Sequence, residues 1–345
     1  MNPRCGRRGA HYPNPTGTPS GSWRCRLRRG WIPLLVAALT VGIGGDISAT
    51  ESLPAWREAF QSADQALRNG VSVDYAPLRA YPLYPYLRYQ ELSHRLSEWP
   101  TAEIREFLKT YADSPLAGRL RGGWLRHLAT TQRWDGYIRD AVPTRDTELD
   151  CWWRQALLNT GQSESALLGF SALWLRGTAL PAVCDPVIAV WHSQCNPTPA
   201  LLWQRLTLAM DRNSLRLAKT LRDAMSAADQ ALADHWLAIA GDPQRLLETG
   251  RFNFNDPRVG LILSDGLERW GKRDVLAAAA ALDTLKERDR QLAPQLAGVE
   301  RWLALWIASD YHTTALARLA AVPDTAVDRD VREWRVRICL RQGNW

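Results

Sequence analysis

The sequence predicts an all-α protein built as an α-superhelix, an irregular solenoid of stacked helical hairpins. Three observations predict this fold: apolar residues recur at helical spacing, helix starts share one chemical signature, and the connections between helices are short. No stretch after residue 49 shows the convincing apolar–polar alternation that marks a half-buried strand. A compact bundle with fewer and longer helices is the competing architecture.

Apolar side chains recur every three or four residues along much of the chain, which places them on one face of a helix. The clearest runs are Leu116, Leu120, Trp124 and Leu128; Leu167, Phe170 and Trp174; and Val299, Trp302, Leu303 and Trp306. The protein has 17 tryptophans. Their rings could stack on sugar faces, but their positions on apolar faces favour an interpretation of most of them as core residues.

Five predicted helix starts combine an N-cap side chain with proline at the first helical position. They are Ser114-Pro115, Asp185-Pro186, Thr198-Pro199, Asp242-Pro243 and Asp256-Pro257. The cap oxygen accepts a hydrogen bond from a backbone N–H that has no partner within the helix. Proline is tolerated at the first helical position because a backbone N–H there would have no intrahelical partner anyway. Stop signals are provided by Gly161, Gly241, Gly250 and Gly271.

The predicted helices are about 10–16 residues long by this punctuation, and tight turns connect them. For example, residues 201–210 turn at 211–213 into residues 215–225, and residues 299–308 turn at 309–310 into residues 313–321. Such helical hairpins are too small to bury their apolar faces without their neighbours. Stacking them produces a superhelix with a concave surface.

Residues 1–49 have the order of a secretory leader. A basic cluster at 24–29 precedes an apolar run at 31–43, and small residues follow up to Ile47-Ser48-Ala49. The apolar run is shorter than the roughly 20 residues that a spanning helix needs. We therefore expect signal cleavage near Thr50, a periplasmic location and no stable membrane span afterwards; an uncleaved anchor is the alternative.

The net charge of +7 comes from the leader. Residues 1–49 hold seven of the 43 Lys and Arg residues but one acid, which leaves 36 bases and 35 acids in the remainder. Because the mature region is almost neutral overall, the sequence predicts no nucleic-acid partner.

The motifs of several catalytic and cofactor sites are missing from the sequence. It has no G-x-S-x-G, no phosphate-binding glycine loop and no dinucleotide fingerprint. No two histidines after the leader are spaced to share a metal on one helix face. Four cysteines follow the leader, and they either form disulfides or act as small buried side chains. They are Cys151, Cys184, Cys195 and Cys339. We predict no catalytic residue, no cofactor and no metal.

The segment at residues 81–92, YPLYPYLRYQEL, resembles the start of the helical ring in the soluble periplasmic lytic transglycosylases, which cleave peptidoglycan glycan strands. The resemblance extends over roughly residues 53–345. Its further stretches are Phe107-Leu108, Ser114–Ala117, Arg119–Arg121, Trp124-Leu125, Trp134, Leu149–Cys151, Leu173–Gly177 and Leu180–Asp185.

The resemblance implies an α-superhelix over residues 50–345 that is truncated before the family's lysozyme-like catalytic domain. That domain carries one catalytic Glu in a Glu-Ser-x-Phe setting, followed by Gly-Leu-Met-Gln. Glu164-Ser165-Ala166 superficially matches this setting, but Leu167 replaces the Phe and no Gly-Leu-Met-Gln follows. We interpret Glu164 as a first-turn acid that the helix dipole favours.

The resemblance also implies a disulfide between Cys151 and Cys184 and a partner, the peptidoglycan glycan strand. In the chain-entropy model such a bridge contributes roughly 4 kcal/mol. The expected function is binding and positioning of glycan strands for cleavage of the MurNAc-GlcNAc bond, without cleavage by this chain alone. The alternatives are an inactive fragment of a split or frameshifted enzyme and a periplasmic helical-repeat adaptor.

Overall fold

A computed structural model describes residues 53–248, 250 and 252–343. The predicted leader, with its expected cleavage site and its two cysteines, lies outside the described residues. Everything described is α-helix, 3₁₀ helix or connecting loop, without a β-strand. The chain divides into two compact units, which are described separately. Unit 1 comprises residues up to Phe170 together with Pro181–Cys195, and unit 2 comprises Ser171–Leu180 together with the chain from Asn196 onward.

Unit 1 contains eight of the described α-helices, and two 3₁₀ turns at Ala76–Leu78 and Ala182–Cys184. The helices are α1 (Leu53–Arg68), α2 (Tyr84–His94), α3 (Thr101–Thr110), α4 (Pro115–Thr130), α5 (Trp134–Asp140), α6 (Thr147–Asn159), α7 (Ser163–Leu167) and α9 (Asp185–Cys195). Among the described residues, its core includes one cluster around Trp124 and Tyr137 and another that joins α1 to the chain around Leu78 and Leu87.

The short helix α8 (Phe170–Trp174) spans the sequence boundary between the units. Unit 2 continues with α10 (Pro199–Asp211), α11 (Leu215–Asp223), α12 (Ala227–Gly241), α13 (Pro257–Gly271), α14 (Val275–Arg288), α15 (Ala293–Ser309), α16 (Ala315–Ala321) and α17 (Arg329–Gln342). Described 3₁₀ turns lie at Pro243–Leu247, Arg290–Leu292 and Asp324–Ala326.

Most of the predicted helix starts are confirmed with their capping bonds. The Ser114 side chain accepts the N–H of Leu116 at 3.2 Å, and the Thr198 side chain accepts that of Leu201 at 3.3 Å. Asp256 caps α13 in the same way. Asp242-Pro243 starts a 3₁₀ helix instead of an α-helix.

One predicted helix is wrong. The spacing of Leu167, Phe170 and Trp174 indicates a single continuous helix, yet the structure has two five-residue helices there. Gly169 separates them with a φ of +68°, a left-handed conformation that breaks the α-helical hydrogen-bond ladder. The predicted helix length of about 10–16 residues is also too long for α5 and α16, which have seven residues each.

The interpretation of most tryptophans as core residues is confirmed for the described residues. The four that are fully buried are Trp124, Trp174, Trp191 and Trp236, and most of the others are half-buried. Trp306 is the exception, with 47% of its surface exposed. Across the described part of the chain, the helices are too short or too polar to cross a membrane.

Candidate functional site

Unit 1 contains a cleft of about 510 Å³, which lies in the size range of small-molecule sites. It is formed by the chain before the first 3₁₀ turn, the start of α2 and one face of α3. Lining side chains include Tyr75, Tyr84, Arg88, Glu103, Phe107 and Tyr111. We call it the tyrosine cleft.

Local sequence positions each wall of the tyrosine cleft. The Asp74 side chain accepts the N–H of Ala76 at 3.0 Å, which fixes the turn that carries Tyr75. Tyr84 and Arg88 are four residues apart on α2, so they lie on the same face of that helix. Glu103 and Phe107 have the same spacing on α3.

Arg88 is the centre of an ion-pair network at this cleft. Its guanidinium donates to the carboxylates of Glu91 and Glu103, and its Cζ lies 4.8 Å from the centroid of the Trp99 ring. Burial opposes the charged form, but the hydrogen bonds to Glu91 and Glu103 more than offset it and raise the pKa of Arg88 above its usual value. The network therefore holds a permanently charged, fixed guanidinium at the cleft wall.

Tyr75 carries a buried hydroxyl that lies close to the Glu91 carboxylate. The residue is 9% exposed, and its hydroxyl oxygen is buried without a partner in hydrogen-bonding geometry. Burial, followed by the nearby Glu91 carboxylate, raises the pKa of Tyr75 well above its usual value. The side chain therefore keeps a neutral hydroxyl within the wall of the cleft.

The other aromatic side chains give the cleft apolar faces. The rings of Tyr75 and Tyr84 are 5.9 Å apart at 72°, and those of Phe107 and Tyr111 are 4.7 Å apart. Burial raises the pKa of Tyr111, which keeps its hydroxyl neutral as well. Aromatic bodies with polar tips suit a ligand that is apolar on one face and polar at its edges.

Unit 1 also contains a smaller cavity of about 180 Å³. Its tyrosine, Tyr137, is completely buried, but the hydroxyl donates to the carbonyl of Leu149 at 2.8 Å. This hydroxyl is therefore satisfied within the protein.

Glu164 lies in the first turn of α7 and is exposed to solvent, in agreement with its interpretation as a helix-start acid. Within residues 53–248, 250 and 252–343, no cluster of three or more His, Cys, Asp or Glu side chains has a geometry that could hold a metal ion.

The structure contains the Cys151–Cys184 disulfide that the resemblance implied. The bridge joins α6 to the 3₁₀ turn at Ala182–Cys184, with the two Cα atoms 5.0 Å apart. Cys339, which the sequence left unassigned, is a half-buried free thiol on α17.

The segment at 81–92 indicates the family resemblance, but the sequence did not predict the tyrosine cleft that part of this segment lines. Two signals were present there: a high local density of tyrosine, and an Arg–Glu pair three residues apart at Arg88 and Glu91. Neither signal predicts that Tyr75 and Glu103, which lie outside α2, line the same cleft.

The similarities to known proteins agree with this architecture. A soluble lytic murein transglycosylase of Escherichia coli (strain K12) is 30% identical over 223 residues, which are 63% of this chain and 35% of that protein. The crystal structure of an inactive mutant of lytic transglycosylase Slt from Pseudomonas aeruginosa matches with a TM-score of 0.67 and 31% identity, over 84% of this chain and 48% of that one.

The chain is similar in sequence and fold to the soluble lytic murein transglycosylases. The 70 kDa soluble lytic transglycosylase of Escherichia coli also matches, with a TM-score of 0.66 and 25% identity over 84% of this chain and 46% of that one. These matches confirm the predicted all-α superhelical fold. The chain spans about a third of the curated transglycosylase and about half of each solved one.

One family model, that of the cucumovirus coat protein, matches residues 155–247. The match covers less than a third of the chain, so it does not establish a family. The transglycosylase relatives match a larger part of the sequence, and two solved structures reproduce the fold over most of the chain.

Proposed function

We propose that this chain is the superhelical region of a peptidoglycan lytic transglycosylase, which binds glycan strands and positions them for cleavage of the MurNAc-GlcNAc bond. The observation that carries the proposal is the 31% identity to lytic transglycosylase Slt together with a TM-score of 0.67 over 84% of this chain. The tyrosine cleft supports it, because Tyr84 and Arg88, from the segment that first indicated the family, line it together with aromatic and polar side chains of other segments.

The chain by itself is proposed to cleave no glycan. Protonation of a glycosidic oxygen requires a carboxyl group held within hydrogen-bond reach, with its pKa raised toward the working pH. Glu164, whose sequence context superficially resembles that of the family's catalytic Glu, is exposed on a five-residue helix. Burial raises the pKa of two other carboxyl groups, Asp211 and Glu268 in unit 2, and neither lies in a Glu-Ser-x-Phe context.

The test incubates the purified chain with insoluble peptidoglycan and separates bound from free protein by sedimentation. We expect the chain to sediment with peptidoglycan and the supernatant to contain no 1,6-anhydromuropeptides by mass spectrometry. Absence of co-sedimentation contradicts the binding role. If products appear, separate Glu164→Gln, Asp211→Asn and Glu268→Gln variants identify the responsible carboxyl group, and the proposal of an inactive chain is wrong.

Export to the periplasm is part of the same proposal. It is supported by the order of the leader segments and by the Cys151–Cys184 disulfide, because disulfides persist in oxidising compartments. N-terminal sequencing of the protein from a periplasmic extract is expected to begin near Thr50. Recovery of residues 31–45 in a membrane fraction contradicts this expectation.

A further inference from the structure

We infer that the tyrosine cleft of unit 1 binds a primary alkylammonium group, the cation that a simple alkylamine or the side chain of a lysine-type residue carries. The inference goes beyond the proposed function, because it assigns a cationic ligand to the cleft and does not require a glycan strand to enter it. Three properties of the cleft carry it: a surplus of carboxylates, one carboxylate without a bonded partner, and accessible aromatic rings.

The first property is the balance of charge along the cleft. Three carboxylates line it, those of Asp74, Glu103 and Glu106, and they face the guanidinium groups of Arg79 and Arg88. Arg79 is exposed, so solvent screens its charge. The lining side chains alone therefore carry one more acid than base.

Arg88 adds no net positive charge to the cleft wall. It bonds to Glu91, which lies behind the wall, as well as to Glu103, so these three groups together carry one negative charge. With Glu91 included, four carboxylates accompany two guanidinium groups, which gives a net charge of −2. Burial opposes the charge of Arg88, yet its two carboxylate partners raise its pKa, so this wall stabilises positive charge.

The second property is the Glu106 carboxylate on α3. Asp74 accepts the N–H of Ala76, and Glu103 accepts from Arg88, whereas Glu106 is exposed and takes part in none of the described hydrogen bonds or ion pairs. An ammonium group has three N–H donors and no acceptor, so it can bond to this carboxylate without displacing an existing contact.

The third property is the set of aromatic rings. Tyr84 and Tyr111 line the cleft and are half-buried, so part of each ring remains accessible to a ligand. The face of an aromatic ring attracts a cation, and it also packs against the apolar stem that carries an ammonium group. Val73 extends this apolar surface.

Other ligand classes use only part of these properties. An anion is repelled by the surplus of carboxylates, and Arg88 is already engaged by two of them. An uncharged ligand packs against the rings but gains nothing from the negative charge. A primary ammonium group on an apolar stem uses the carboxylates and the rings together.

The first experiment measures binding of n-pentylammonium to the full chain by isothermal titration calorimetry at low ionic strength. Pentanol and pentanoate are the matched probes, because they keep the stem and replace the cation by a neutral group or an anion. We expect n-pentylammonium to bind about five- to twentyfold more tightly than pentanol, and added salt to weaken it. Absence of binding, or equal or tighter binding of either matched probe, overturns the inference.

Variants locate the binding in the cleft. Glu106→Gln is expected to weaken binding of n-pentylammonium about two- to fivefold, as for one partly solvated ion pair. Glu58→Gln is the matched control, because it removes the same charge from an exposed residue of α1 that does not line the cleft. It is expected to leave binding unchanged. If Glu106→Gln binds as tightly as the wild type, the assignment to the cleft is wrong.

The role of the rings is tested at Tyr84. Tyr84→Leu is expected to weaken binding of n-pentylammonium about two- to fivefold, whereas Tyr84→Phe, which keeps the aromatic face, is expected to retain it. Circular dichroism melting verifies that both variants fold. Equal losses in the two variants contradict a contact between the cation and the ring face.

Two further probes distinguish the sources of the ammonium group. Cadaverine represents a free amine, and Nα-acetyl-lysine amide represents the same stem within a peptide. Tighter binding of the lysine probe supports a peptide ligand, and tighter binding of cadaverine supports a free amine. If neither probe binds, the inference is wrong. Sedimentation with peptidoglycan is scored separately, so the proposed function can fail while the cation site stands, and the reverse.

Discussion

Among the described residues, each unit buries one arginine in its interior, and the two arginines have very different surroundings. Arg154 in unit 1 is 8% exposed and pairs with Asp150 at 3.2 Å. Its guanidinium also donates to the carbonyls of Ala166 and Leu168 at 2.6 and 3.1 Å. Its buried charge is therefore compensated by one carboxylate and two backbone acceptors.

Arg205 in unit 2 is 5% exposed and lacks such compensation. Its Cζ lies 4.2 Å from the centroid of the Trp174 ring, but its Nε has no hydrogen-bond partner. Burial lowers the pKa of Arg205 to about 10. Burial of a charge is costly when it is not paired, although the aromatic face offsets part of that cost.

The difference indicates that the two units depend on different interactions. Unit 1 combines buried polar networks with a disulfide and holds the tyrosine cleft. Unit 2 contains sites of close helix packing, such as Gly266 on α13, where an added Cβ would lie 2.6 Å from Cγ2 of Ile239. Because the tyrosine cleft lies in unit 1, we propose that ligand recognition lies there as well.

The largest expected effect comes from Arg154. We predict that Arg154→Met lowers the free energy of unfolding by about 3–5 kcal/mol, because it leaves Asp150 without its partner in a largely buried site. Arg205→Met is the matched change in unit 2. It is expected to lower the free energy by less than about 1 kcal/mol or to raise it, because it removes an uncompensated charge. Urea denaturation compares the two variants with the wild type. Equal losses of unfolding free energy contradict the contrast between the two arginine sites.

The disulfide is predicted to contribute somewhat less. Replacement of both Cys151 and Cys184 by Ala is expected to lower the free energy of unfolding by about 2–4 kcal/mol, because the unfolded chain gains the freedom of a closed loop. Cys339→Ala is the control, since that thiol is free and half-buried. Thermal melting of the wild type, the double variant and the control variant checks this prediction. A double variant as stable as the control shows that unit 1 does not depend on the bridge.

A glycine pair in unit 2 tests close packing with a smaller effect. Gly266→Ala is expected to lower the free energy of unfolding by about 1–2 kcal/mol, because the new methyl group collides with Ile239. Gly298→Ala, on exposed surface of α15 with no atom within 4 Å of the added Cβ, is expected to raise it by about 0.5–1 kcal/mol. Urea denaturation measures both variants. If Gly266→Ala stabilises the protein, the side chain of Ile239 can move to accommodate the new methyl group and the prediction is wrong.

Sequence reasoning succeeded where structure depends on local chemistry. The starts at Ser114, Thr198 and Asp256 were predictable because a cap and its N–H partner lie two or three residues apart. The break at Gly169 was missed because a helical apolar pattern continues through it, and a single glycine does not specify a positive φ.

The tyrosine cleft was missed for a different reason. Tyr75 and Glu103 are separated by 28 positions in the sequence, and only the packing of their elements brings them to one cleft. The pairing of Cys151 with Cys184 followed from the family resemblance, because four cysteines alone allow several pairings. Contacts between elements that are distant in the sequence are therefore the features of this protein that could not be predicted without the structure.

The central claim is that ligand recognition lies in unit 1 and not in unit 2. Hydrogen–deuterium exchange of the full chain, with and without a saturating soluble fragment of peptidoglycan glycan strands, tests it most directly. The account predicts slower exchange in peptides from residues 73–111, which contain the tyrosine cleft, and unchanged exchange in residues 257–309, which contain α13 to α15. Protection confined to residues 257–309, or no protection at 73–111 under conditions where calorimetry detects binding, contradicts it.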